Sequence, residues 1–480
     1  MKLANSRRLL FFIFTLGLIL RLAQRLPTLW DGDNSYYYLI ARHIVQYADH
    51  PVKGPYAWAI KSQYPVIGYY ILALPMLISS NLEFIISLIA ATHALAVFPI
   101  YLIGKLLFNN RTGLLSALFF AVATNEIFYS RNILGGSLII PLTVFSFAFF
   151  LIFLKKSKLG FFFLSYLFIF ISSFIYYTPF LLLIPYAVWA YLKTKNYKLV
   201  FFSNLLLFLF FTLLNIPLIK TYIRDGVYPS FRPNFSIFKI TGFVPLYLES
   251  IFRIEKLNIL PAVIILLILL VGSILLNNLS LKKIAFLLFP IGIFLIAVSN
   301  NSEYCCSSYF TPVFPFYYLL IGYLGINIIS AKKLSFRLSG FFLLFYFLSL
   351  ISNSYDRLYR KQDDYLTKQK LAEQMIIEVR QNELQDFNTL MVLGNYIHSP
   401  SLWYFFEEKL EYQFSKFSGD SDFGINMINE TPEYLFIVCD KEKIEKCHSK
   451  FLGKYGEYFM IKRMTDVGNF AVFLFKRLPT

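Results

Sequence analysis

Residues 259–276 read ILPAVIILLILLVGSILL, eighteen residues without a single charge. As a helix, a stretch of this length and composition matches the hydrocarbon core of a bilayer. Phe201–Leu214 is a second uncharged apolar window. The whole chain of 480 residues is 57% hydrophobic and only 15% charged, whereas about a quarter of an average soluble domain is charged. This composition excludes an ordinary soluble enzyme and a disordered chain, and it indicates a polytopic membrane protein.

The net charge of +17 is unevenly distributed along the chain. Residues 355–480 contain 17 basic and 19 acidic side chains, so residues 1–354 hold 28 basic and only 9 acidic ones. The basic excess therefore belongs to the hydrophobic part, where it reflects membrane topology, and we expect no nucleic-acid partner. We predict a transmembrane domain in residues 1–354 and a water-soluble domain in residues 355–480.

Apolar segments follow one another along the predicted membrane domain. They are 9–26, 65–79, 84–108, 112–128, 132–154, 159–175, 179–193, 199–219, 259–276, 283–298, 310–328 and 338–353. Segment 65–79 contains Pro65, Gly68 and Pro75 and is short for a span, so we assign it to the membrane interface. The fold class is therefore mainly α, a helical bundle of about eleven transmembrane helices with interfacial helices.

The charges of the loops predict which side of the membrane each end of this bundle faces. With the N-terminus in the cytoplasm, the inner loops carry 16 Lys and Arg residues and no acid. All nine acids of the membrane domain then lie outside: Asp31, Asp33, Asp49, Glu83, Glu126, Asp225, Glu249, Glu255 and Glu303. The positive-inside rule prefers this arrangement, which places a multi-pass protein in the cell membrane with its C-terminal domain outside.

The C-terminal domain alternates between helical and extended patterns. We predict helices at 356–382, 400–410 and 441–451, strands at 388–395 and 433–440, and a final hairpin that turns at Val467–Gly468. This order predicts a small extracytoplasmic α/β domain. Cys439 and Cys447 lie eight residues apart there, and both a disulfide and two free thiols fit the sequence.

The first outer loop, 27–64, carries Asp31-Gly32-Asp33 directly before an amphipathic stretch, Ser35–Ala48. We predict a helix on the membrane surface, capped by Asn34 or Ser35, with its tyrosines at headgroup depth. A turn with a helix cap is one interpretation of the acids. A calcium loop is excluded, since its sixth and twelfth positions hold Tyr36 and Arg42. The third interpretation is catalysis, by proton acceptance or by holding a divalent metal against a phosphate.

The segment DNSYYYLIAR (33–42) resembles the first-loop motif of the GT-C membrane glycosyltransferases, in which an Asp stands nine residues before the Arg of an Ala-Arg pair. The family includes aminoarabinose lipid A transferases, protein O-mannosyltransferases and oligosaccharyltransferases. Asp33 has this spacing to Arg42 and Asp31 does not. The resemblance implies that Asp33 is the principal catalytic carboxylate and Asp31 the second.

Three further segments resemble GT-C motifs in the family's order. They are QYPVIGYYILALP (63–75), FYSRNILGGSL (128–138) and SSYFTPVFPFYYLL (307–320). The chain also departs from the family pattern. Asn34, Gly136 and Ser308 replace a Glu, an Asp and an Arg, and Gln63 stands where lipid A transferases have a Glu that helps to hold a metal.

The resemblance implies transfer of a sugar, with inversion, from a polyprenyl-phosphate donor to a protein, lipid or glycan acceptor outside the membrane. The expected substrate-binding residues are Arg42, Tyr37, Gln63, Tyr64, Arg131, Arg224, Arg232 and Glu303. No cofactor is required by the sequence, and a divalent metal ion, if one is used, is assigned to Asp33. The alternative is a lipid or glycan transporter or flippase without transferase activity, and a scaffold protein is a third class.

Overall fold

The computed structural model describes residues 3–23, 26–27, 30, 32–51, 56–57, 62–63, 66–133, 135–216, 220, 271, 280–301, 311–352, 363–393, 396–397, 400–410 and 432–479. The chain divides into two compact units. Residues 1–26 and 52–360 form the helical unit, and residues 27–51 and 361–480 form the mixed unit. Residues 27–51, which belong to the predicted first outer loop, therefore lie in the same unit as the C-terminal residues.

Helices make up nearly all of the described helical unit. They are α1 (Leu3–Leu22), α3 (Ile67–Met76), α4 (Leu82–Leu95), α5 (Val97–Leu107), α6 (Asn110–Val122), α7 (Thr124–Tyr129), α8 (Gly135–Lys156), α9 (Leu159–Ile175), α10 (Leu183–Thr194), α11 (Tyr197–Leu214), α12 (Leu281–Asn301), α13 (Phe314–Ile329) and α14 (Leu334–Ser352). A 3-10 turn, Thr178–Leu182, precedes α10, and a two-residue hairpin pairs β1 (Tyr56–Ala57) with β2 (Ser62–Gln63).

Three stretches of the described chain are long and apolar enough to cross a membrane: Leu82–Leu107, Gly135–Lys156 and Thr311–Ile329. The other predicted apolar segments each overlap one or two helices, whereas residue 271 is the one described residue of segment 259–276. The number of eleven spans stays a prediction. The helix within segment 65–79 has ten residues and a length of about 15 Å, which is half of a bilayer core.

Helices α5 and α6 cross at a pair of glycines. A Cβ atom on Gly113 would lie 2.5 Å from the carbonyl oxygen of Tyr101, and one on Gly104 would lie 2.7 Å from the Cα of Gly113. Small residues at a crossing let two helix backbones approach closely, as is common between membrane helices. A larger side chain at either glycine would force the helices apart.

In its described residues, the mixed unit combines four helices with a five-stranded sheet. The helices are α2 (Gly32–Tyr47), α15 (Asp363–Gln381), α16 (Pro400–Leu410) and α17 (Ile444–Tyr455), the last preceded by a 3-10 turn, Lys441–Lys443. The strands are β3 (Phe387–Leu393), β4 (Tyr396–Ile397), β5 (Tyr434–Asp440), β6 (Phe459–Val467) and β7 (Phe470–Arg477), in the order β4-β3-β5-β7-β6. Strands β3 and β5 are parallel, which the intervening helix α16 makes possible.

Alternate side chains of the sheet lie on the face that α17 covers, and they form a hydrophobic core there. Leu435 and Ile437 of β5 pack there with Phe473 and Phe475 of β7 and with Phe451 of α17. A disulfide joins Cys439 to Cys447 and links β5 to α17, so the bridge and not the pair of free thiols is present. Strands β6 and β7 turn at Gly468, whose φ of +57° favours glycine, as the Val467–Gly468 prediction expected.

Helix α2 corrects two expectations about the first outer loop. It begins at Gly32, so Asn34 and Ser35 lie buried inside the helix and do not cap it. Tyr36, Tyr37 and Tyr38 are also buried, with at most 8% of each residue exposed. They pack in the protein interior and not among lipid headgroups, because the apolar face of the helix is covered by protein.

Candidate functional site

Helix α2 carries the principal acidic candidate at its start. Asp33 is exposed and lies in the first turn of the helix, where the aligned backbone N–H groups favour a negative charge. The Ser35 hydroxyl donates a hydrogen bond to the carbonyl oxygen of Gly32 at 3.2 Å, which fixes the same turn. An exposed carboxylate in this position is accessible to a reacting hydroxyl.

The helix separates Asp33 from Arg42. Both residues lie in the continuous segment Gly32–Tyr47, and nine residues correspond to about 13.5 Å along the axis and about half a turn around it. The two side chains therefore leave opposite faces of α2 and do not converge on one reacting atom. Tyr37, four residues after Asp33, lies on the same face as Asp33 and is buried.

Trp30 anchors the beginning of the α2 segment in the mixed unit. Its ring lies edge-on to the rings of Tyr404, Tyr365 and Tyr38, with centroids 5.1, 5.7 and 6.1 Å away. Its Nε1 donates to the carbonyl oxygen of Ser401 at 3.1 Å, and Lys368 donates to the carbonyl oxygen of Trp30. A buried indole with a satisfied N–H group fixes the chain just before Asp33.

A buried contact between His43 and Glu407 anchors the other half of α2. His43 Nε2 lies 2.5 Å from Glu407 Oε1, and the two side chains are 2% and 1% exposed. Because Glu407 belongs to α16, the pair joins two helices that are 364 residues apart in sequence. The position of Asp33 is thus set by the C-terminal domain at two points, Trp30 and His43.

A polar cleft of about 560 Å³ lies beside this contact. It is lined by Arg42, Gln46 and Tyr47 of α2 and by Glu407, Glu408 and Lys409 of α16. Arg42 Nε donates to Gln46 Oε1 at 2.9 Å. Arg42, a predicted substrate-binding residue, therefore faces a cleft that is separate from Asp33.

Tyrosines of this region are buried in their neutral form. Burial raises the pKa of Tyr404 above its usual range, and the charge of Glu408 raises that pKa further. Burial also raises the pKa values of Tyr38 and Tyr36. Their hydroxyl groups therefore keep their protons at neutral pH and serve as hydrogen-bond donors and not as bases.

Arg131 of the helical unit, another predicted substrate-binding residue, is buried. Its guanidinium donates to the backbone carbonyl oxygens of Leu20 and Arg21. These oxygens belong to the last turn of α1, where carbonyl groups have no partner within the helix. In this arrangement Arg131 caps α1, and its contact with a substrate phosphate stays a prediction.

A buried polar cluster in the helical unit was missed by the sequence reasoning. Arg21 donates to the carbonyl oxygens of Gly17, Ala121 and Phe120, at 3.0, 2.7 and 3.1 Å. Glu126 is 0% exposed and interacts electrostatically with Arg21. We expected Glu126 as one of the acids of the outer loops. The available signal was its place inside the predicted apolar segment 112–128.

The remaining candidates have no described side chain. Gln63 lies in β2, opposite Tyr56, with only its backbone described. Outside the described residues lie Asp31, Tyr64, Arg224, Arg232 and Glu303. Within the described part of the chain, no three His, Cys, Asp or Glu side chains form a group that could hold a metal ion.

Solved structures share this fold. ArnT from Cupriavidus metallidurans, in the apo state, is 11% identical, with a TM-score of 0.56 and 97% of each chain covered. The same protein bound to undecaprenyl phosphate has the same identity and TM-score, with 98% of each chain covered. The Archaeoglobus fulgidus oligosaccharyltransferase tethered to an acceptor peptide is 13% identical, with a TM-score of 0.54, and covers 100% of this chain and 74% of its own.

No protein-family model and no curated protein sequence matches the chain. At 11–13% identity, the structural likeness establishes the fold alone. It extends over both units, since nearly the whole chain is covered by each of these structures. The resemblance that four short motifs predicted is thereby confirmed at the level of architecture: this membrane protein has the fold of the GT-C glycosyltransferases ArnT and oligosaccharyltransferase.

Proposed function

We propose that this protein is an integral membrane glycosyltransferase. It takes a sugar from a polyprenyl-phosphate donor and transfers it, with inversion, to a protein, lipid or glycan acceptor on the outer face of the cell membrane. The observation that carries the proposal is the position of Asp33: an exposed carboxylate in the first turn of α2, within a GT-C fold, at the family's spacing from Arg42. A solved structure of the same fold is described as bound to undecaprenyl phosphate.

In the proposed reaction, Asp33 accepts the proton of an acceptor hydroxyl. The hydroxyl oxygen forms a bond to the anomeric carbon of the donor sugar, while the bond between that carbon and the phosphate oxygen breaks. The lipid phosphate leaves with the bonding electron pair from the opposite side, so the anomeric configuration inverts. Holding the two reactants in line supplies much of the rate enhancement, because it converts a bimolecular step into a unimolecular one.

The C-terminal domain has a defined part in this proposal. It fixes α2 through Trp30 and through the pair of His43 and Glu407, so that Asp33 keeps one orientation. The disulfide between Cys439 and Cys447 supports an extracytoplasmic position for this domain, since disulfides persist in oxidising compartments. A base on a rigid element is more precisely placed than one on a free loop.

The rival function is that of a lipid or glycan transporter or flippase. Transporters place ionisable groups within their spans, and the helical unit does bury Arg21 and Glu126. These two residues lie near helix ends, however, with Arg21 in the last turn of α1 and Glu126 in the short helix α7. The enzyme is therefore the preferred proposal.

Replacement of Asp33 by Asn tests the proposal. We expect Asp33→Asn to abolish transfer from a polyprenyl-phosphate sugar, measured by mass spectrometry of membrane lipids and proteins, while expression and the unfolding temperature stay unchanged. Asp49→Asn is the matched control, because Asp49 follows α2 in the same loop, and it should retain transfer. Full transfer by Asp33→Asn would refute the proposal, and unimpaired lipid translocation without any transfer activity would favour the flippase.

A further inference from the structure

Basic side chains from three helices converge at one end of the helical unit. The Phe108 cluster consists of Lys105, Phe108, Arg111 and Lys283, which belong to α5, the turn after it, α6 and α12. We propose that this cluster binds the phosphate headgroup of an anionic phospholipid. The inference does not depend on the proposed function, because none of these residues takes part in the transfer step.

The aromatic ring of Phe108, directly after α5, forms the centre of the cluster. Lys283 Nζ of α12 lies 5.4 Å from the centroid of this ring, within the range of a cation–π contact. The same ring stacks on that of Tyr323 in α13, with centroids 4.0 Å apart. The Tyr323 hydroxyl accepts a hydrogen bond from the backbone N–H of Ser280 at 2.9 Å, just before α12. These contacts hold the first turn of α12, and with it Lys283, beside the end of α5.

Tyr101 of α5 connects the other two cations of the cluster. Lys105 Nζ lies 5.8 Å from the centroid of the Tyr101 ring. The Tyr101 hydroxyl donates a hydrogen bond to Oδ1 of Asn110, the residue directly before Arg111. Lys105 stands three residues before Phe108 in sequence and Arg111 three residues after it. All three cations therefore belong to one neighbourhood, although they come from three different helices.

Within the described residues, no carboxylate compensates these charges. None of the three cations makes a salt bridge there. The described acids of the helical unit are Glu83 and Glu126. Glu83 stands 22 residues before Lys105 in the span Leu82–Leu107, which corresponds to about 33 Å of helix, and Glu126 follows the far end of α6. Like charges held together without an acid repel one another, so a bound anion would stabilise the cluster.

Two helix N-termini add to the positive potential of the cluster. Helix α6 begins at Asn110 and helix α12 at Leu281, and neither has an acidic residue in its first turn. The first turns carry Arg111 in α6 and Lys282 and Lys283 in α12 instead. The aligned N–H groups at a helix N-terminus favour a negative charge and disfavour these cations. An anionic ligand would compensate both the side chains and the helix ends.

The depth of the cluster in the membrane indicates a lipid as the ligand. The apolar stretch Leu82–Leu107, long enough to cross a membrane, ends one residue before Phe108. Tyr323, which stacks on Phe108, lies in the second half of another such stretch, Thr311–Ile329. The basic side chains therefore stand where an apolar span meets water, at the level of the lipid headgroups. At this level, lysine and arginine side chains attract the phosphate groups of anionic lipids.

The connection between α8 and α9 provides a comparison on the same predicted side of the membrane. Its lysines, Lys155, Lys156 and Lys158, are exposed and equal in number to the cations of the Phe108 cluster. Lys155 and Lys156 lie in the last turn of α8, where the helix dipole favours a cation. These lysines satisfy the positive-inside rule without converging from several helices. They therefore distinguish a lipid site from ordinary topology signals.

Native mass spectrometry of the full-length protein tests the inference. The probes are dioleoyl phosphatidylglycerol, dioleoyl phosphatidylcholine and inorganic phosphate. We expect phosphatidylglycerol to bind about tenfold or more tightly than phosphatidylcholine, which has the same chains but no net charge. Lys105→Gln should weaken phosphatidylglycerol binding by about fivefold, and the triple variant Lys105→Gln, Arg111→Gln and Lys283→Gln by roughly a hundredfold. Lys105→Gln changes one exposed side chain, so it tests the cluster even where the triple variant does not fold.

The triple variant Lys155→Gln, Lys156→Gln and Lys158→Gln is the matched control, because it removes the same number of charges from the same predicted side. It should bind phosphatidylglycerol like the wild type. Equal affinity for the two lipids, equal losses in the two triple variants, or displacement of phosphatidylglycerol by inorganic phosphate at equal concentration would overturn the inference. Asp33→Asn separates the two proposals, since phosphatidylglycerol binding should persist in that variant while transfer is lost.

Discussion

His43 Nε2 lies 2.5 Å from Glu407 Oε1, and both side chains are almost completely buried. This contact joins the helix of the first outer loop to a helix of the C-terminal domain. A buried pair of this kind contributes little net free energy compared with a well-packed apolar pair, but removal of one partner is costly. The pair therefore defines how α2 is oriented more than how stable the protein is.

His43→Ala tests the role of this pair. The substitution leaves the Glu407 carboxylate buried and uncompensated, so we expect a loss of roughly 3–5 kcal/mol in the free energy of unfolding. The double variant with Glu407→Ala should recover part of that loss, which a double-mutant cycle measures. Thermal unfolding of the purified full-length protein in detergent gives the readout. Additive effects of the two substitutions would mean that the two residues do not interact.

Helix α16 shows what the sequence could predict. Its limits, Pro400–Leu410, are those expected from the pattern, because Pro400 marks the start and apolar residues dominate the turns that follow. Strand β5 was also expected, from the run YLFIVCD. These elements are determined by neighbours in sequence, and local patterns are sufficient to find them.

Helix α2 shows what the sequence could not predict. Its amphipathic pattern indicated a buried face, but the same pattern fits a membrane surface and a protein surface equally well. The contact that distinguishes a protein surface from a membrane surface is the one between Trp30 and Ser401, which are 371 residues apart in sequence. Likewise, the family resemblance predicts roles for Asp33 and Arg42, but it does not show that a continuous helix places their side chains on opposite faces.

Arg21→Met tests the buried cluster of the helical unit. The substitution removes donors from the carbonyl oxygens of Gly17, Ala121 and Phe120 and leaves Glu126 without its facing charge. We expect a loss of roughly 3–5 kcal/mol in stability, since each buried carbonyl oxygen that is left without its donor costs about 1–3 kcal/mol. Thermal unfolding in detergent measures the effect.

Two further variants make the Arg21 experiment specific. The double variant Arg21→Met with Glu126→Gln should regain part of the lost stability, because it also removes the ionisable group that Arg21 faces. Arg21→Lys keeps the charge but has no planar fork to reach three carbonyl oxygens, so its unfolding temperature should lie between those of the wild type and Arg21→Met. A wild-type unfolding temperature for Arg21→Met would exclude a structural role for the cluster.

The raised pKa of Tyr404 predicts how the stability of the protein depends on pH. Burial raises its pKa in the folded protein, whereas the unfolded chain releases the phenolic proton near pH ~10. The contribution of Tyr404 to the free energy of unfolding is therefore complete below that pH. It declines as the pH rises further, because the unfolded chain loses the phenolic proton at a lower pH than the folded protein and is stabilised by that ionisation. We therefore expect the unfolding temperature to fall above about pH 10.

Tyr404→Phe should make this decline shallower, because phenylalanine has no proton to release. Tyr458→Phe, at an exposed tyrosine, should leave the slope unchanged. Unfolding curves between about pH 8 and 11 supply the comparison, with the ionisation of exposed tyrosines followed at the same time by absorbance. Identical slopes for the wild type and Tyr404→Phe would contradict a raised pKa at this residue.

The membrane topology predicts which cysteines a membrane-impermeant maleimide can reach in intact cells. In a background with Cys305→Ser and Cys306→Ser, Glu442→Cys should be labelled, because it lies exposed in the C-terminal domain that we place outside. Lys156→Cys, at the exposed end of α8, should be labelled only after the cells are opened. Cys439 and Cys447 are joined and therefore do not react. Protection of residue 442 together with labelling of residue 156 would invert the topology, and it would place the exposed carboxylate of Asp33 on the cytoplasmic side, where the proposed acceptor is absent.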